Sequence, residues 1–167
     1  MQEPNVIFIA PCQLAFVRMT GPYPKSSLDA WKVILDWLAD RKHEVIGTVG
    51  YGLALDDPRS TPPDALRYDA CIRTPPAFDS EIDRKIRLQQ FTGGAYFTTR
   101  RIGCYSALGK VVSEARDVML PRQGLIHDFS RPVMTMNYSY PSETPPGQQV
   151  ADVCIPVVPD RRLEPRP

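Results

Sequence analysis

The sequence lacks an excess of either charge: 20 Lys+Arg face 19 Asp+Glu, a formal net charge of +1. A near-neutral surface offers no broad field for nucleic acid or an anionic membrane, so direct nucleic-acid binding is not expected. No apolar run approaches the roughly 20 residues of a membrane-spanning helix. The opening residues Met1 to Asn5 include no Lys or Arg, and the apolar Val6 to Ala10 is too short for a signal-peptide core. Histidine is scarce, with only His43 and His127, and the four cysteines (Cys12, Cys71, Cys104, Cys154) form no C-x-x-C pair. No metal site or cofactor is therefore expected, and the thiols read as reduced residues of a soluble cytoplasmic protein. A Gly-x-Ser-x-Gly elbow and a phosphate-binding loop are also missing.

What the 167 residues do contain is an internal echo. Asp69-Ala70-Cys71-Ile72 returns as Asp152-Val153-Cys154-Ile155, 83 positions later. Gly21-Pro22-Tyr23 is matched by Gly103-Cys104-Tyr105, and Pro58 by Pro141. Landmarks within one residue of a common offset indicate duplication of a structural unit. Each copy reads as strand, helix, strand, strand. In the first, Leu14–Met19 is a strand, and Thr20 to Pro24 is a break full of Gly and Pro. Ser26 or Ser27 caps a helix through Leu38 that fades by Arg41-Lys42, and its buried stripe is Leu28, Trp31, Leu35 and Leu38. Strands at 47–55 and 66–73 follow. The second copy gives a strand at 95–100, a helix from about Ser106 to Leu120 ended by Pro121, and strands at 133–140 and 150–157. The connector 79–90 reads as a short strand or a helical turn, and 160–167 as a disordered tail.

These pieces, in this order, resemble the GyrI-like small-molecule-binding superfamily. The residues that carry the resemblance are Gly21-Pro22-Tyr23, Trp31, Asp56-Asp57-Pro58, Tyr68-Asp69-Ala70-Cys71-Ile72, Gly93-Gly94 and the closing Asp152-Val153-Cys154-Ile155-Pro156-Val157. The resemblance implies an α+β fold within a single domain, 1–159. Two strand-helix-strand-strand modules, about 12–75 and 93–158, would be related by a pseudo-twofold axis, with an antiparallel sheet, two main helices and a ligand groove between them. Members of the superfamily include effector domains of multidrug-responsive transcription regulators, free-standing DNA gyrase inhibitor proteins and hydrolases of cyclopropane-containing toxins. This chain departs from many relatives in two respects. No DNA-reading element precedes the module, so a free-standing form is expected. Asp152 stands where the family often has a Glu, one methylene longer.

The candidate site residues follow from both lines. Asp152 is a carboxylate for a cationic or hydrogen-bond-donating ligand, although alternation along the strand does not say which face meets the groove. Asp69 is its counterpart in the first copy. The even positions of the strand from Val133 supply Met136 and Tyr138, and the twin strand supplies Tyr51, a mix of adaptable and flat side chains suited to a permissive pocket. Trp37 lies off the main helical stripe and borders the expected groove, whereas Trp31 reads as core. The leading expectation is a binding protein for amphipathic, cationic or drug-like small molecules. The alternatives are a hydrolase using a carboxylate beside a tyrosine, and a gyrase-inhibitor-like protein acting on a protein partner.

Overall fold

The computed structural model describes residues 5–39, 49–75, 78, 86–140 and 143–163. Nine strands alternate with two helical rods: β1 (Asn5–Ile9), β2 (Cys12–Thr20), α1 (Tyr23–Ala39), β3 (Gly50–Ala54), β4 (Arg67–Arg73), β5 (Arg87–Phe91), β6 (Gly94–Ile102), α2 (Leu108–Glu114), β7 (Leu125–His127), β8 (Val133–Asn137) and β9 (Val150–Pro159). All pairings are antiparallel, and the sheet runs β1-β6-β9-β8-β3-β4-β2-β5, with β7 also on β9. This is the α+β architecture expected from the duplication.

The order is palindromic, and its centre is the β3–β8 ladder. There Gly52 faces Thr135, its own counterpart 83 positions on, so the pseudo-twofold axis passes through that pair. The expected modules missed the outer strands. β1 belongs to neither, yet it pairs with β6 of the second copy, while β5, in the connector, pairs with β2 of the first. Asn5↔Thr98 to Ile9↔Gly94 and Cys12↔Phe91 to Phe16↔Arg87 share one register, so residues 5–16 and 87–98 form one long antiparallel ribbon. That ribbon links β4 at one end of the sheet to β9 at the other, and the strands close into a ring. Ring closure leaves less unpaired edge than an open sheet of the same strands.

Closure creates an inner and an outer face. Leu14, Phe16, Leu53, Cys71, Phe91, Tyr96, Met134 and Cys154 fill the inside. On the outside, Ala15, Val17, Ala70 and Ile72 meet Ala30, Ile34 and Leu38 of α1, and Phe97, Val153, Ile155 and Val157 meet Ala115 and Leu120 of the second rod. The buried stripe of α1 is thus Ser26, Ala30, Ile34 and Leu38 rather than one through Leu28, which is exposed. The helix also starts five residues earlier than Leu28, because Pro24 sits in the first turn, where its missing N–H has no partner to lose. Ser26 is therefore inside the helix, where its hydroxyl donates back to the Gly21 carbonyl at 3.2 Å. The second rod does not stop before Pro121. A π-turn, Ala115–Met119, precedes a last turn, Leu120–Arg122, and the wider turn absorbs the proline. Residues 161–163, expected to be disordered, form a 3-10 turn. The expected helix end at Arg41-Lys42, residues 79–85 of the connector, Pro141 and residues 164–167 lie outside the described residues.

The two halves of the ribbon cross where Ala10-Pro11 passes Thr92-Gly93. A Cβ on Gly93 (φ +68) would sit 2.1 Å from the Ile9 carbonyl oxygen, so only glycine lets the backbones approach. Gly93→Ala is expected to lower unfolding free energy by about 2–3 kcal/mol. Gly109→Ala, in α2 with no atom within 4 Å of its added Cβ, is expected to be neutral or slightly stabilising. Urea denaturation of the two variants checks this.

Candidate ligand groove

Two strands leave the outer face bare at the centre of the sheet. β3 presents Gly50, Gly52 and Ala54 there, and β8 presents Val133, Thr135 and Asn137. Helix α1 covers one side and α2 the other, so between them lies a groove of about 590 Å³, lined mostly by apolar groups. The missing Cβ atoms let aromatic side chains settle directly on the sheet. The end of the Trp31 indole of α1 sits on Gly50, where an added Cβ would fall 2.5 Å from the ring. The Tyr68 hydroxyl sits over Gly52, 2.1 Å from where a Cβ would be. It accepts a hydrogen bond from Trp31 Nε1 at 2.9 Å and also bonds Thr135, and burial pushes its pKa up. Tyr140 closes on Trp31 with ring centroids 6.3 Å apart, and Tyr23 meets Tyr68 edge-on at 6.2 Å.

The helix entries are built alike in both halves. The Tyr23 hydroxyl donates to the Asp56 carbonyl at 2.6 Å, and the Tyr105 hydroxyl to the Ser139 carbonyl at 2.6 Å. Each pins the first turn of a helical rod to a loop at the groove mouth. The charged groups of the lining are spoken for. Arg67 holds Asp56 in a two-point contact, Asp57 meets Arg59 and Arg116, and Arg131 holds Asp128 at 2.7 Å. Hydrogen bonds from Ser130 and Arg131 hold the Asp128 carboxyl down at about 2. Arg116 projects from the π-turn, a distortion frequent at functional sites. His127 stacks on Phe129 with centroids 4.0 Å apart. Burial and the nearby Arg116 charge lower its pKa to about 4, so it is neutral at pH 7. Two buried polar atoms of the lining have no protein partner: His127 Nδ1 and Asn137 Oδ1.

None of the six residues singled out from sequence lines this groove. Tyr51 and Met136 pack against the inner core, on the other face of β3 and β8. Asp152 and Asp69 also point to that inner face, because Ala151, Val153 and Ile155 take the outer one. Arg100 grips Asp152 in a two-point contact at 2.7 and 2.9 Å, and the Tyr138 hydroxyl donates to it at 2.8 Å. Asp69, fully buried, receives Arg18 at 2.7 and 2.8 Å and Gln89 at 3.1 Å. The sites thus repeat as Arg–Asp pairs, since Arg18 and Arg100 are counterparts 82 positions apart. The two acids are not neighbours: β3 and β8 lie between their strands. The structure does bring Tyr138 to Asp152, on the face away from the groove, and Tyr138 is pushed up to about 12 by burial and that bond. Trp37 packs edge-on to Phe78 at 6.0 Å, beside the α1 core. Trp31, read as core, is the tryptophan of the groove. The signal that identifies the open face was present as Gly50-x-Gly52, since strand glycines mark close approach of other groups.

By its fold the chain falls in a class, the α+β modules in which two helices flank the centre of one antiparallel sheet. It belongs to the GyrI-like family, whose profile, described as GyrI-like small molecule binding domain, matches residues 2–158. A comparison with curated proteins finds no significant match. Among solved structures, the EcmrR C-terminal domain is similar (TM-score 0.75, 11% identity, covering 94% of this chain and 98% of that one). This chain spans only 57% of the EcmrR chain solved in its complex with DNA. A hydrolase encoded by lin2189 from Listeria innocua is similar too (0.64, 16%, 93% and 92%). So is SAV2435 bound to tetraphenylphosphonium (0.63, 12%, 94% and 94%). At these identities the likeness is one of fold. No described helix is long and apolar enough to cross a membrane.

Two predictions follow from the charges. Asp152→Ala removes the partner of Arg100 and Tyr138, both partly exposed, and is expected to cost about 1–2 kcal/mol of stability, measured by urea unfolding. His127 resists protonation down to about pH 4 when folded, against 6.5 as its reference value. The unfolded chain therefore binds the proton first, and stability falls as pH drops from about 6.5 to about 4. His127→Gln should flatten the dependence of melting temperature on pH within that window.

Proposed function

We propose that this chain binds small, largely apolar aromatic molecules in the groove between α1 and α2, reversibly and without turnover. The observation that carries the reading is the groove itself. It has about 590 Å³ of mostly apolar space, aromatic side chains from both halves, and two buried polar atoms without a protein partner. That volume lies within the ~300–1,000 Å³ of ordinary ligand pockets, and a few convergent polar groups in an apolar lining are their usual chemistry. Membership of a small-molecule-binding family supports it, as does a solved protein of like fold that holds tetraphenylphosphonium. Trp31, Tyr68 and Tyr140 would form the aromatic wall. On this reading Asp152 and Asp69 serve as structural ions, and Tyr51 and Met136 as inner core.

A hydrolytic reading has less support from the geometry. Among the described residues of the groove, both Asp56 and Asp57 are held by arginines, which blunts them as bases. The carboxylate–tyrosine pair that could direct water, Asp152 with Tyr138, is on the opposite face and gripped by Arg100.

Titration with a panel of aromatic dyes, followed by tryptophan fluorescence, tests the proposal. Binding is expected to quench Trp31. Ala54→Trp, which fills the floor of the groove, should weaken every dye at least about tenfold, equivalent to about 1.4 kcal/mol. Asp152→Asn should change affinity less than about twofold. Dyes that bind Ala54→Trp as tightly as the parent would place the ligand elsewhere.

A further inference from the structure

Resting on the binding reading above, we infer that the groove selects uncharged planar molecules carrying a hydrogen-bond donor, and that Asn137 is the residue that reads the donor. Asn137 ends β8 on the outer face and is only 4% exposed, yet its Oδ1 has no hydrogen-bond partner. A buried carbonyl oxygen in that condition is costly, and a ligand N–H or O–H that reaches it recovers the loss. Its neighbours define the shape of that ligand. Asn137 faces Gly50 across the β3–β8 ladder, and Trp31 lies directly on Gly50. Trp31 in turn meets Tyr140. The carboxamide therefore borders an aromatic wall, and a planar molecule packed against Trp31 would bring its edge toward Oδ1, which the Asn137 side chain would turn to meet.

The charges argue for a neutral occupant. A lipophilic cation needs an anion free to meet it, and the two carboxylates of the lining are engaged by Arg67, Arg59 and Arg116. An anion fares no better, since Arg116 is spent on Asp57 and Asp117, and Arg131 on Asp128. Burying a net charge among compensated pairs costs several kcal/mol, of which a cation's contact with the aromatic wall returns only about 0.5–2. An uncharged donor escapes that cost and satisfies the amide.

Three probes separate the possibilities by isothermal calorimetry on the full chain: carbazole, dibenzofuran and tetraphenylphosphonium. The first two share size and planarity, but only carbazole carries an N–H. Carbazole is expected to bind about tenfold tighter than dibenzofuran, and tighter than the cation. In Asn137→Leu the carbazole advantage should shrink below about twofold, with dibenzofuran affinity kept. Equal affinities for the two in the parent protein overturn the inference without variants, and so does an advantage that survives Asn137→Leu. Stronger binding of tetraphenylphosphonium than of carbazole overturns the preference for neutral ligands while leaving the groove reading intact. Failure of all three to bind defeats the groove reading itself.

Discussion

The structure depends on the pairing of β3 with β8. Among the described residues it is the only ladder that joins the two copies through their own central strands, and it places Gly52 opposite its counterpart Thr135. From that one register the rest follows. The pseudo-twofold axis is set there, so α1 and α2 fall on the same face at either side of it. Because side chains alternate, the same register decides what each face receives. The inner face takes Tyr51, Leu53, Met134 and Met136, and the outer face takes glycines and small or polar residues. A slip by one residue would fill the groove with tyrosine and methionine and put glycine into the core.

The ribbon of residues 5–16 with 87–98 completes this design. It lets each copy contribute a strand to the other, so neither copy as first delimited carries a full set of partners. The crossing is possible because Gly93 has no side chain. At the inner face, Arg18–Asp69 and Arg100–Asp152 lie beside the core residues Cys71 and Cys154 in symmetric positions. Buried carboxylates of this kind are tolerated because two-point arginine contacts satisfy both oxygens. The echo of Asp-x-Cys-Ile is thus a record of structure: an ion-paired acid and a buried thiol, repeated because the fold is repeated.

Much of the architecture was legible in the residues. Offsets within one residue of each other, between Asp69 and Asp152 and between Tyr23 and Tyr105, revealed two copies; six strands overlap the ranges where patterning placed them, while α1 begins earlier and the second rod ends later than expected. β1 was hidden for a physical reason: it is short, and its partner lies in the other copy, which no local pattern records, whereas β5 falls in the connector that reads as a short strand or a helical turn. The residues singled out from sequence and the groove lie on opposite faces of the sheet or away from it, and parity is the reason. Tyrosine and methionine on alternate positions of β8 attract attention as ligand-binding groups, whereas the open face is marked by what is missing, at Gly50 and Gly52. The partners of Asp152 were equally out of reach, since Arg100 is 52 positions away in sequence and becomes adjacent only through the β6–β9 ladder.

The central claim is that the ligand sits on the glycine floor between the helices and not beside the repeated acids. The most direct measurement is a crystal structure of the chain soaked with an aromatic probe carrying a heavy atom, such as a brominated carbazole, located by its anomalous signal. The account predicts a bromine peak between α1 and α2, over Gly52 and within contact of Trp31. A peak on the opposite face, beside Asp152 and Tyr138, would contradict it.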